Sequence, residues 1–440
     1  MKYPLNYPDF PDLKLLQEQL LEYARLKYEM GADREKLQGV LDRAAHAIRS
    51  LIDEAKGLDI DPVLARQEPD SLDAIRSLRP DGPRRLWKDF NKDKYIERLM
   101  GAFVGRMAGC TLGAPVEFRS VEAMADWAGY IGDPFPPVDY WSRVKNPNEK
   151  RYGVSACFRY TREGLDGVPV DDDVTYTLLG LLIAEDFGPD FTTEDVGKAW
   201  VKYLPYACTA EDVALRNLKA GIPWDKAGEV DNPYCQWIGA DIRSDPWGYM
   251  APGYPEKAAE MAYRDAYISH RRNGIYGEMF FSAAIAAAFE ADDAVDALKT
   301  GLTEIPRDCL LAKDIRWALE AGRGIRNHKE ARKAVEERFG AMSGVHTNLN
   351  ACLTIFGLMI GGDDFTRVIG ETVAMGYDND CTAATAGSIA GAVLGISRIP
   401  GHWYESFNNK VMTYMNGHPE FKIDDVLERF ACQAENILTR

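Results

Sequence analysis

The chain has 440 residues, of which 46% are hydrophobic and 27% charged, a composition typical of soluble globular proteins. Its net charge of −16 argues against a nucleic-acid backbone or an anionic membrane as the main partner. The eight cysteines form no CxxC pair, so neither a zinc site nor a redox pair is indicated. With no signal-like segment and no apolar run of ~20 residues, we expect a cytoplasmic protein with reduced thiols.

The N-terminal region carries two charged, amphipathic helical patterns, at residues 12–28 and 33–56. A polar stretch follows and ends in the breaker cluster Arg79-Pro80-Asp81-Gly82-Pro83-Arg84. We therefore predict two parts, an appended helical segment over residues 1–90 and one large domain over residues 91–440. The sequence leaves open whether this segment is a lid over a site, a contact between two copies or a structural brace.

Two helical segments carry a glycine at every fourth position, which places the glycines of each segment on one face. Glycine inside a helix costs up to about 1 kcal/mol, so close packing of the backbones is the expected compensation. We predict that both glycine faces pack closely at the centre of the domain: Gly101, Gly105 and Gly109, and Gly387, Gly391 and Gly395.

The rest of the chain is dominated by helical periodicity, and evidence for a strand is confined to residues 404–414. Residues 130–170 show no sustained period and are rich in Pro, Tyr, Trp, Arg and Asn, which predicts a long loop of the kind that often borders a functional site. The pattern predicts an all-α, bundle-like domain. Its predicted helices span residues 173–186, 192–203, 210–220, 254–268, 278–290, 293–303, 307–321, 328–339, 348–360, 363–375, 382–396 and 424–439.

Two clusters of acidic residues stand at helix starts about two hundred positions apart, Asp171, Asp172 and Asp173 in the first, and Asp378 and Asp380 in the second. If they converged, each like-charge pair at about 4 Å would cost about 4 kcal/mol at an effective dielectric constant of about 20. Divalent cations such as Mg²⁺ and Ca²⁺ prefer such oxygen ligands and would remove the repulsion. The alternative is that these aspartates cap their helices. Two clusters together favour a metal site.

A third motif completes the set, at Gly109-Cys110-Thr111-Leu112-Gly113-Ala114-Pro115-Val116-Glu117-Phe118. With it the chain resembles the ADP-ribosylglycohydrolase family over roughly residues 93–400. That family has a Gly-x-x-x-Gly-Asp-x-x-Gly-x-Pro-x-Glu helix end, then Thr-Asp-Asp-Thr, then Gly-Asp-Thr-Asp-Thr-Asn. The resemblance implies an all-α fold around two divalent cations (Mg²⁺, or else Mn²⁺ or Ca²⁺) at the base of a cleft. The residues implied as ligands are Asp171, Asp172, Asp173, Asp378 and Asp380.

The same resemblance gives Glu117 a role in coordinating metal or in gating the site. Three positions depart from the family pattern, since the first-motif Thr is Asp171, the last-motif Thr is Cys381, and the following Asn is Thr382. The added charge of Asp171 is expected to compensate for the ligand lost at Cys381, whose thiol suits Mg²⁺ poorly. These departures indicate a divergent subfamily.

Four further residues are predicted to touch substrate. Arg243 and Trp247 lie where the family has a Gly-rich ligand loop, and they offer a fork for a phosphate and a stacking face for a base. His270 and Glu278 lie in a segment that matches the family's His-containing segment. For Arg243 the alternative is a structural salt bridge, and Glu278 suits the first turn of its helix for electrostatic reasons alone.

We therefore expect a metal-dependent hydrolase that cleaves an N- or O-glycosidic ribosyl bond, in the first place that of an ADP-ribosylated protein, with Glu117, Asp172 and Asp173 as catalytic residues. Two metals about 3.5–4 Å apart would orient the ribose and activate water. One alternative is a glycosidase of a small free ribosylated molecule, and another is a catalytically silent binding or structural member of the family. Formation of a homo-oligomer through the N-terminal helices is left open.

Overall fold

The computed structural model describes residues 7–8 and 11–439, and helices dominate them. The all-α prediction is therefore confirmed. The helices are α1 (Leu13–Glu29), α2 (Arg34–Lys56), α3 (Pro62–Gln67), α4 (Leu72–Leu78), α5 (Lys92–Gly113), α6 (Val121–Ile131), α7 (Asp172–Phe187), α8 (Thr193–Tyr203), α9 (Thr209–Lys219), α10 (Trp224–Ala227), α11 (Asp245–Met250), α12 (Pro255–Ala266), α13 (Asn273–Ala288), α14 (Ala294–Gly301), α15 (Leu310–Ala321), α16 (His328–Phe339), α17 (Thr347–Gly361), α18 (Phe365–Ala374), α19 (Asn379–Leu394) and α20 (Ile423–Leu438).

Two small antiparallel hairpins interrupt the helices. The first pairs β1 (Lys150–Arg151) with β2 (Ser155–Ala156), and the second pairs β3 (Lys410–Met415) with β4 (His418–Lys422). The second hairpin covers only the end of the strand predicted over residues 404–414, because the residues before it form short 3₁₀ turns. Two further 3₁₀ turns matter for the site, Ala114–Val116 and Ile238–Arg243.

The chain divides into two compact units, Met1–Arg66 and Gln67–Arg440. In the first unit, α1 and α2 each begin at an aspartate whose side chain accepts a hydrogen bond from the first turn, Asp12 and Asp33. Neither helix contains a buried residue, and apolar side chains such as Leu13 and Leu51 stay more than 60% exposed. The amphipathic patterns of residues 12–28 and 33–56 therefore form the expected helices.

The boundary between the units lies at residue 66, whereas the sequence placed it at residue 90. Residues 67–90 belong to the second unit, where Ile75 and Trp87 are buried. Arg79 forms ion pairs with Glu256 and Glu304, the latter at 2.6 Å. The Pro- and Gly-rich cluster therefore breaks the helical pattern without ending the unit.

We expect a chain beginning at Gln67 to fold, and a chain beginning at Lys92 to be less stable by at least about 3 kcal/mol. The shorter chain lacks two buried apolar side chains, each worth about 1.5–3 kcal/mol on burial. Urea denaturation of the two truncated proteins measures the difference. Equal stability would restore the boundary at residue 90.

Both glycine faces are closely packed, as predicted, and the structure shows that they pack against each other, in the contact between α5 and α19. A Cβ added at Gly105 would lie less than 3.0 Å from the carbonyl oxygen of Gly387, and one at Gly101 equally close to that of Gly391. By length and composition α5 could span a membrane, but 89% of its apolar window is buried inside the protein. This helix is therefore a core helix, and its glycines allow the backbone of α19 to approach.

Gly105→Ala is expected to lower the free energy of unfolding by about 2–3 kcal/mol, because the new methyl group overpacks the contact with α19. The matched control is Gly129→Ala, since Gly129 is exposed in α6. Apart from its chain neighbours and the adjacent backbone of α6, no described atom lies within 4 Å of the place its methyl group would take. That control should gain up to about 1 kcal/mol from helix propensity. Thermal unfolding of both variants measures the contrast, and similar effects would contradict the close packing.

Candidate metal centre

The three acidic motifs converge on one site. Helix α7 begins directly after Asp171, α19 begins directly after Asp378, and Glu117 follows the 3₁₀ turn that ends α5. The guanidinium Nη2 of Arg151 donates to both Asp171 Oδ2 at 3.0 Å and Asp380 Oδ2 at 3.1 Å, which joins residues from the two clusters. Convergence of the clusters, on which the predicted metal site depends, is thus present.

Helix capping explains the first cluster better than the second. The side chain of Asp171 accepts a hydrogen bond from the backbone N–H of Asp173 at 3.2 Å, as a capping residue does. Asp378 occupies the corresponding position of α19, but its side chain makes no capping hydrogen bond with the described residues. Its carboxyl group instead shares a hydrogen bond with Asp380. Helix capping therefore does not account for the position of Asp378.

Two residues with left-handed backbone hold Glu117 against the second cluster. Phe118 has φ = 57° and Tyr377 has φ = 61°, a conformation that costs energy for side chains other than glycine. The N–H of Phe118 donates to the carbonyl oxygen of Tyr377 at 2.9 Å. Close to them, Gly113 leaves no room for a Cβ beside the backbone of Asp380. This strained junction brings Glu117 to Asp378 and Asp380.

Glu117, Asp378 and Asp380, here called the acidic triad, each offer one oxygen atom, and these atoms lie within 4.8 Å of one another. Asp380 Oδ1 is buried and has no hydrogen-bond partner among the described residues. Hard carboxylate oxygens at this spacing suit Mg²⁺, Mn²⁺ or Ca²⁺. The triad therefore fits one divalent cation.

A second group with metal-ligand spacing consists of Cys110, Asp171 and Asp173. It fits a hard cation less well, because burial raises the pKa of the Cys110 thiol and keeps it neutral. Burial likewise raises the pKa of the Cys381 thiol.

The pKa values of the triad's carboxyl groups reflect their burial and their close spacing. Burial, followed by the charge of Asp380, raises the pKa of Glu117 to about 8. Burial also raises the pKa of Asp378 well above its usual range, and the charges of Asp380 and Glu117 add to the effect. Carboxyl groups of this kind hold protons near neutral pH unless a cation displaces them.

The other predicted ligands have protein partners of their own. Asp172 Oδ1 accepts a hydrogen bond from the hydroxyl of Tyr152 at 2.7 Å. Asp173 Oδ1 accepts from Arg106 Nη2 at 3.0 Å, and Arg106 is itself fully buried. Arg106 also pairs with Asp245 at 2.7 Å. These contacts fix the positions of Asp172 and Asp173 at the start of α7.

A cavity of about 270 Å³ opens beside the triad. Asp172 and Asp173 line it together with the triad, so all three residues predicted to be catalytic face one space. The remaining lining includes Phe118, Tyr152, Tyr176, Cys208, Thr209, Glu211, Trp237, Ile238, Gly239, Ile242, Val345 and Cys381. Carboxylates and aromatic rings thus dominate its walls.

The four residues predicted to contact substrate lie in the core and do not line this cavity. Arg243 is 2% exposed and pairs with Asp265 at 2.5 Å and with Glu211 at 3.0 Å. Its Nη2 lies 3.4 Å from Glu278. Trp247 donates from Nε1 to Glu278 at 2.9 Å. Arg243 therefore forms the structural salt bridges that were the alternative to a phosphate contact.

His270 is likewise fully buried, and its Nδ1 shares a hydrogen bond with the hydroxyl of Ser269 at 2.8 Å. Burial lowers the pKa of His270 well below its usual value, so the ring is neutral. The structure thus places these four residues behind the cavity wall, and substrate contact by Arg243, Trp247, His270 and Glu278 stays a prediction. Their long-range partners could not be known from local sequence.

Sequence reasoning missed three residues at the site, Arg106, Arg151 and Tyr152. The last two lie in the aperiodic stretch 130–170, whose composition marked it as a loop bordering a site without indicating which side chains enter it. Glu211, a fourth, lines the cavity, and burial raises its pKa to about 7. Because it sits in an ordinary amphipathic helix, α9, no local signal distinguishes it.

In metal-free protein, the raised pKa of Glu117 predicts that stability falls as pH rises from about 7 to 8. The folded state keeps a proton that the unfolded chain, with a glutamate pKa of about 4.3, has released. The expected loss is up to about 1 kcal/mol per pH unit for this one group. His346, whose pKa burial lowers to about 4, acts in the opposite direction but only below about pH 6.5.

Urea denaturation in the presence of a chelator measures this slope. Glu117→Gln should reduce it, because the amide does not titrate. Identical slopes in wild type and variant between pH 7 and 8 would contradict the raised pKa.

Comparison with known proteins adds to this geometry. A sequence profile of the ADP-ribosylglycohydrolase family matches residues 91–435. An uncharacterized protein from Archaeoglobus fulgidus is 25% identical over 323 residues, which cover 71% of this chain and 92% of that relative. A solved structure described as an ADP-ribosylglycohydrolase-related protein complex covers 78% of this chain and 99% of its own, at 19% identity and a TM-score of 0.49.

Proposed function

Because the chain belongs to the ADP-ribosylglycohydrolase family, we propose that it is a glycoside hydrolase that cleaves the N- or O-glycosidic bond of a ribosyl group. The observation that carries this proposal is the acidic triad beside a 270 Å³ cavity that Asp172 and Asp173 also line. Hydrolysis of such a bond passes through an oxocarbenium-like state, which nearby carboxylates stabilise.

The proposed cofactor is a divalent cation, Mg²⁺ or else Mn²⁺ or Ca²⁺, held by Glu117, Asp378 and Asp380. Such a cation would orient ribose hydroxyls and lower the pKa of water. Of the two cations that the resemblance implies, this is the one whose ligand geometry the described residues support.

The chain's own residues divide the remaining work. Glu117 faces the cavity and, as a ligand of the proposed cation, would position the water that the cation activates. Asp172 is oriented by Tyr152, and Asp173 is oriented by Arg106. Fixed carboxylates of this kind can bind ribose hydroxyls without reorganising during the reaction.

The substrate we propose first is a small ribosylated molecule, which was the alternative to an ADP-ribosylated protein in the sequence interpretation. Among the described residues, no lysine or arginine lines the 270 Å³ cavity, whereas a diphosphate calls for cationic partners. The volume is also just below the roughly 300–1,000 Å³ of sites for drug-sized ligands. A ribose ring with a compact leaving group suits such a space.

An ADP-ribosylated substrate is the second candidate, and one observation favours it. A separate cavity of about 300 Å³ also includes Glu117 in its wall, and Arg119, Lys145 and Lys150 line it. These cationic side chains line a cavity that shares Glu117 with the 270 Å³ cavity, and a diphosphate could bind to them.

A product-release assay with Mn²⁺ or Mg²⁺ tests the proposal. Simple N- and O-ribosides are compared with ADP-ribosylated arginine and serine peptides, and Glu117→Gln serves as the inactive variant. Faster release from simple ribosides supports the first candidate, and faster release from the peptides supports the second. No release from either class would favour the catalytically silent alternative.

We also propose that the protein resides in the cytoplasm. We further propose that it self-associates, through the N-terminal helices. The exposed leucines of α1 and α2 support the latter, since apolar helix faces commonly pack against a partner. Light scattering on the full chain and on a chain beginning at Gln67 tests it. A monomer in both would exclude this contact.

A further inference from the structure

We propose that this chain binds a single divalent cation, at the acidic triad, and that the guanidinium of Arg151 takes the place of a second cation. The inference rests on the proposed function in one respect, namely that a divalent cation is bound at all. Its central residue, Arg151, is one that the resemblance to the family did not bring forward.

The guanidinium of Arg151 lies among carboxylates that the resemblance implies as ligands of two cations. Its Nη1 donates to Glu117 Oε2 at 2.9 Å and to the carbonyl oxygen of Ala114 at 2.8 Å. Its Nη2 donates to Asp171 Oδ2 at 3.0 Å and to Asp380 Oδ2 at 3.1 Å. One positive charge thus bridges three carboxylates from all three acidic motifs.

The backbone and neighbouring rings hold this side chain in place. Arg151 ends strand β1 and pairs with Ser155 across the hairpin. Its guanidinium carbon lies 5.4 Å from the ring centre of Tyr152 and 5.7 Å from that of Tyr160, within the range of cation–π contacts. The side chain is 17% exposed. Arg151 is therefore part of the site's architecture and not a surface residue that happens to reach it.

The charges at the site are consistent with substitution of a cation by an arginine. Asp171 stands where the resemblance places a neutral Thr ligand, so this chain has one additional negative charge at that position. Arg151 supplies one additional positive charge in direct contact with it. The added Asp171 charge is thus matched by a protein cation, whereas the sequence interpretation had it compensating for the ligand lost at Cys381.

In the second group with ligand spacing, each carboxylate already has a cationic partner. Asp171 pairs with Arg151, and Asp173 pairs with Arg106 at 3.0 Å. The third member, Cys110, is a buried neutral thiol. A second divalent cation there would meet two guanidinium groups, those of Arg151 and Arg106. A cation at the acidic triad meets only that of Arg151, and among the described residues Asp380 Oδ1 has no hydrogen-bond partner there.

Equilibrium dialysis and electron paramagnetic resonance with Mn²⁺ on the full chain test this inference. Wild type should bind one Mn²⁺ per chain, and Arg151→Lys should also bind one because the positive charge is kept. Arg151→Gln should bind two, or bind Mn²⁺ at least ten-fold more tightly. Arg159→Gln, which changes a half-exposed arginine eight positions away, is the matched control and should behave as wild type.

Two Mn²⁺ ions of comparable affinity in wild type would overturn the inference, and so would one ion bound with wild-type affinity in a folded Arg151→Gln variant. If Arg151→Gln does not fold, the stoichiometries of wild type and Arg151→Lys decide. Product release in the same samples separates the two proposals. Two ions with catalysis would overturn the inference and leave the hydrolase, whereas one ion without catalysis would do the reverse.

Discussion

Arg243→Ala is expected to destabilise the fold by about 3–5 kcal/mol, the range for removing one partner of a buried ion pair. Arg243 is 2% exposed and contacts three buried carboxylates, those of Glu211, Asp265 and Glu278. Without the guanidinium these three buried carboxylates lose their cation. Urea denaturation of the variant measures the loss.

The size of this loss should depend on pH. Burial raises the pKa of Glu278 well above its usual range and that of Glu211 to about 7, so both accept protons readily. Protonation removes the uncompensated charge, and the destabilisation should therefore be smaller at pH 5.5 than at pH 8. Arg216→Ala is the matched control, because Arg216 is 67% exposed and forms its ion pair at the surface of α9. Its effect should stay below about 1 kcal/mol.

A different result would revive the substrate-contact prediction for Arg243. If Arg243→Ala kept the stability of wild type and lost affinity for ADP-ribose, the guanidinium would have to leave its three carboxylates to meet a phosphate. Calorimetric titration with ADP-ribose on the folded variant makes that distinction.

Asp380→Asn is expected to lower kcat/KM by about 10²–10³-fold, the range for loss of one electrostatic contributor to a transition state. The same change should abolish stabilisation by Mn²⁺, because Asp380 is a member of the acidic triad and one of its oxygens has no partner among the residues that the structure describes. Thermal shift with Mn²⁺ and initial rates of product release measure the two effects.

The metal-free Asp380→Asn variant should keep its fold. Burial raises the pKa of Asp380, and the charge of Asp172 adds to the effect, so the carboxylate is a strained group that the amide relieves. Asp363→Asn is the matched control, since the Asp363 side chain is 79% exposed. Unchanged Mn²⁺ affinity in Asp380→Asn would remove the triad as the metal site.

The features that depend on local spacing could be predicted from the amino-acid sequence. Helical periodicity identified most of the longer helices but not α6, and glycines four positions apart identified a closely packed face on each of α5 and α19. Acidic residues at the starts of α7 and α19 and the Glu117 motif indicated one site. These predictions succeeded because helix geometry fixes which residues share a face, and because glycine and crowded carboxylates each allow few structural explanations.

The pairing of charged side chains, in contrast, depends on the tertiary structure. Arg151 meets Asp380 across 229 positions of sequence, and Arg79 meets Glu304 across 225. The first pairing places the guanidinium of Arg151 among the acidic residues of the site. The second ties residues 67–90 to the unit that follows them. The partners of Arg243, which lie 22 and 32 positions away, place its guanidinium in a buried ion network. An arginine's local sequence is the same whether it binds phosphate or carboxylate, since its partner is chosen by packing of distant segments.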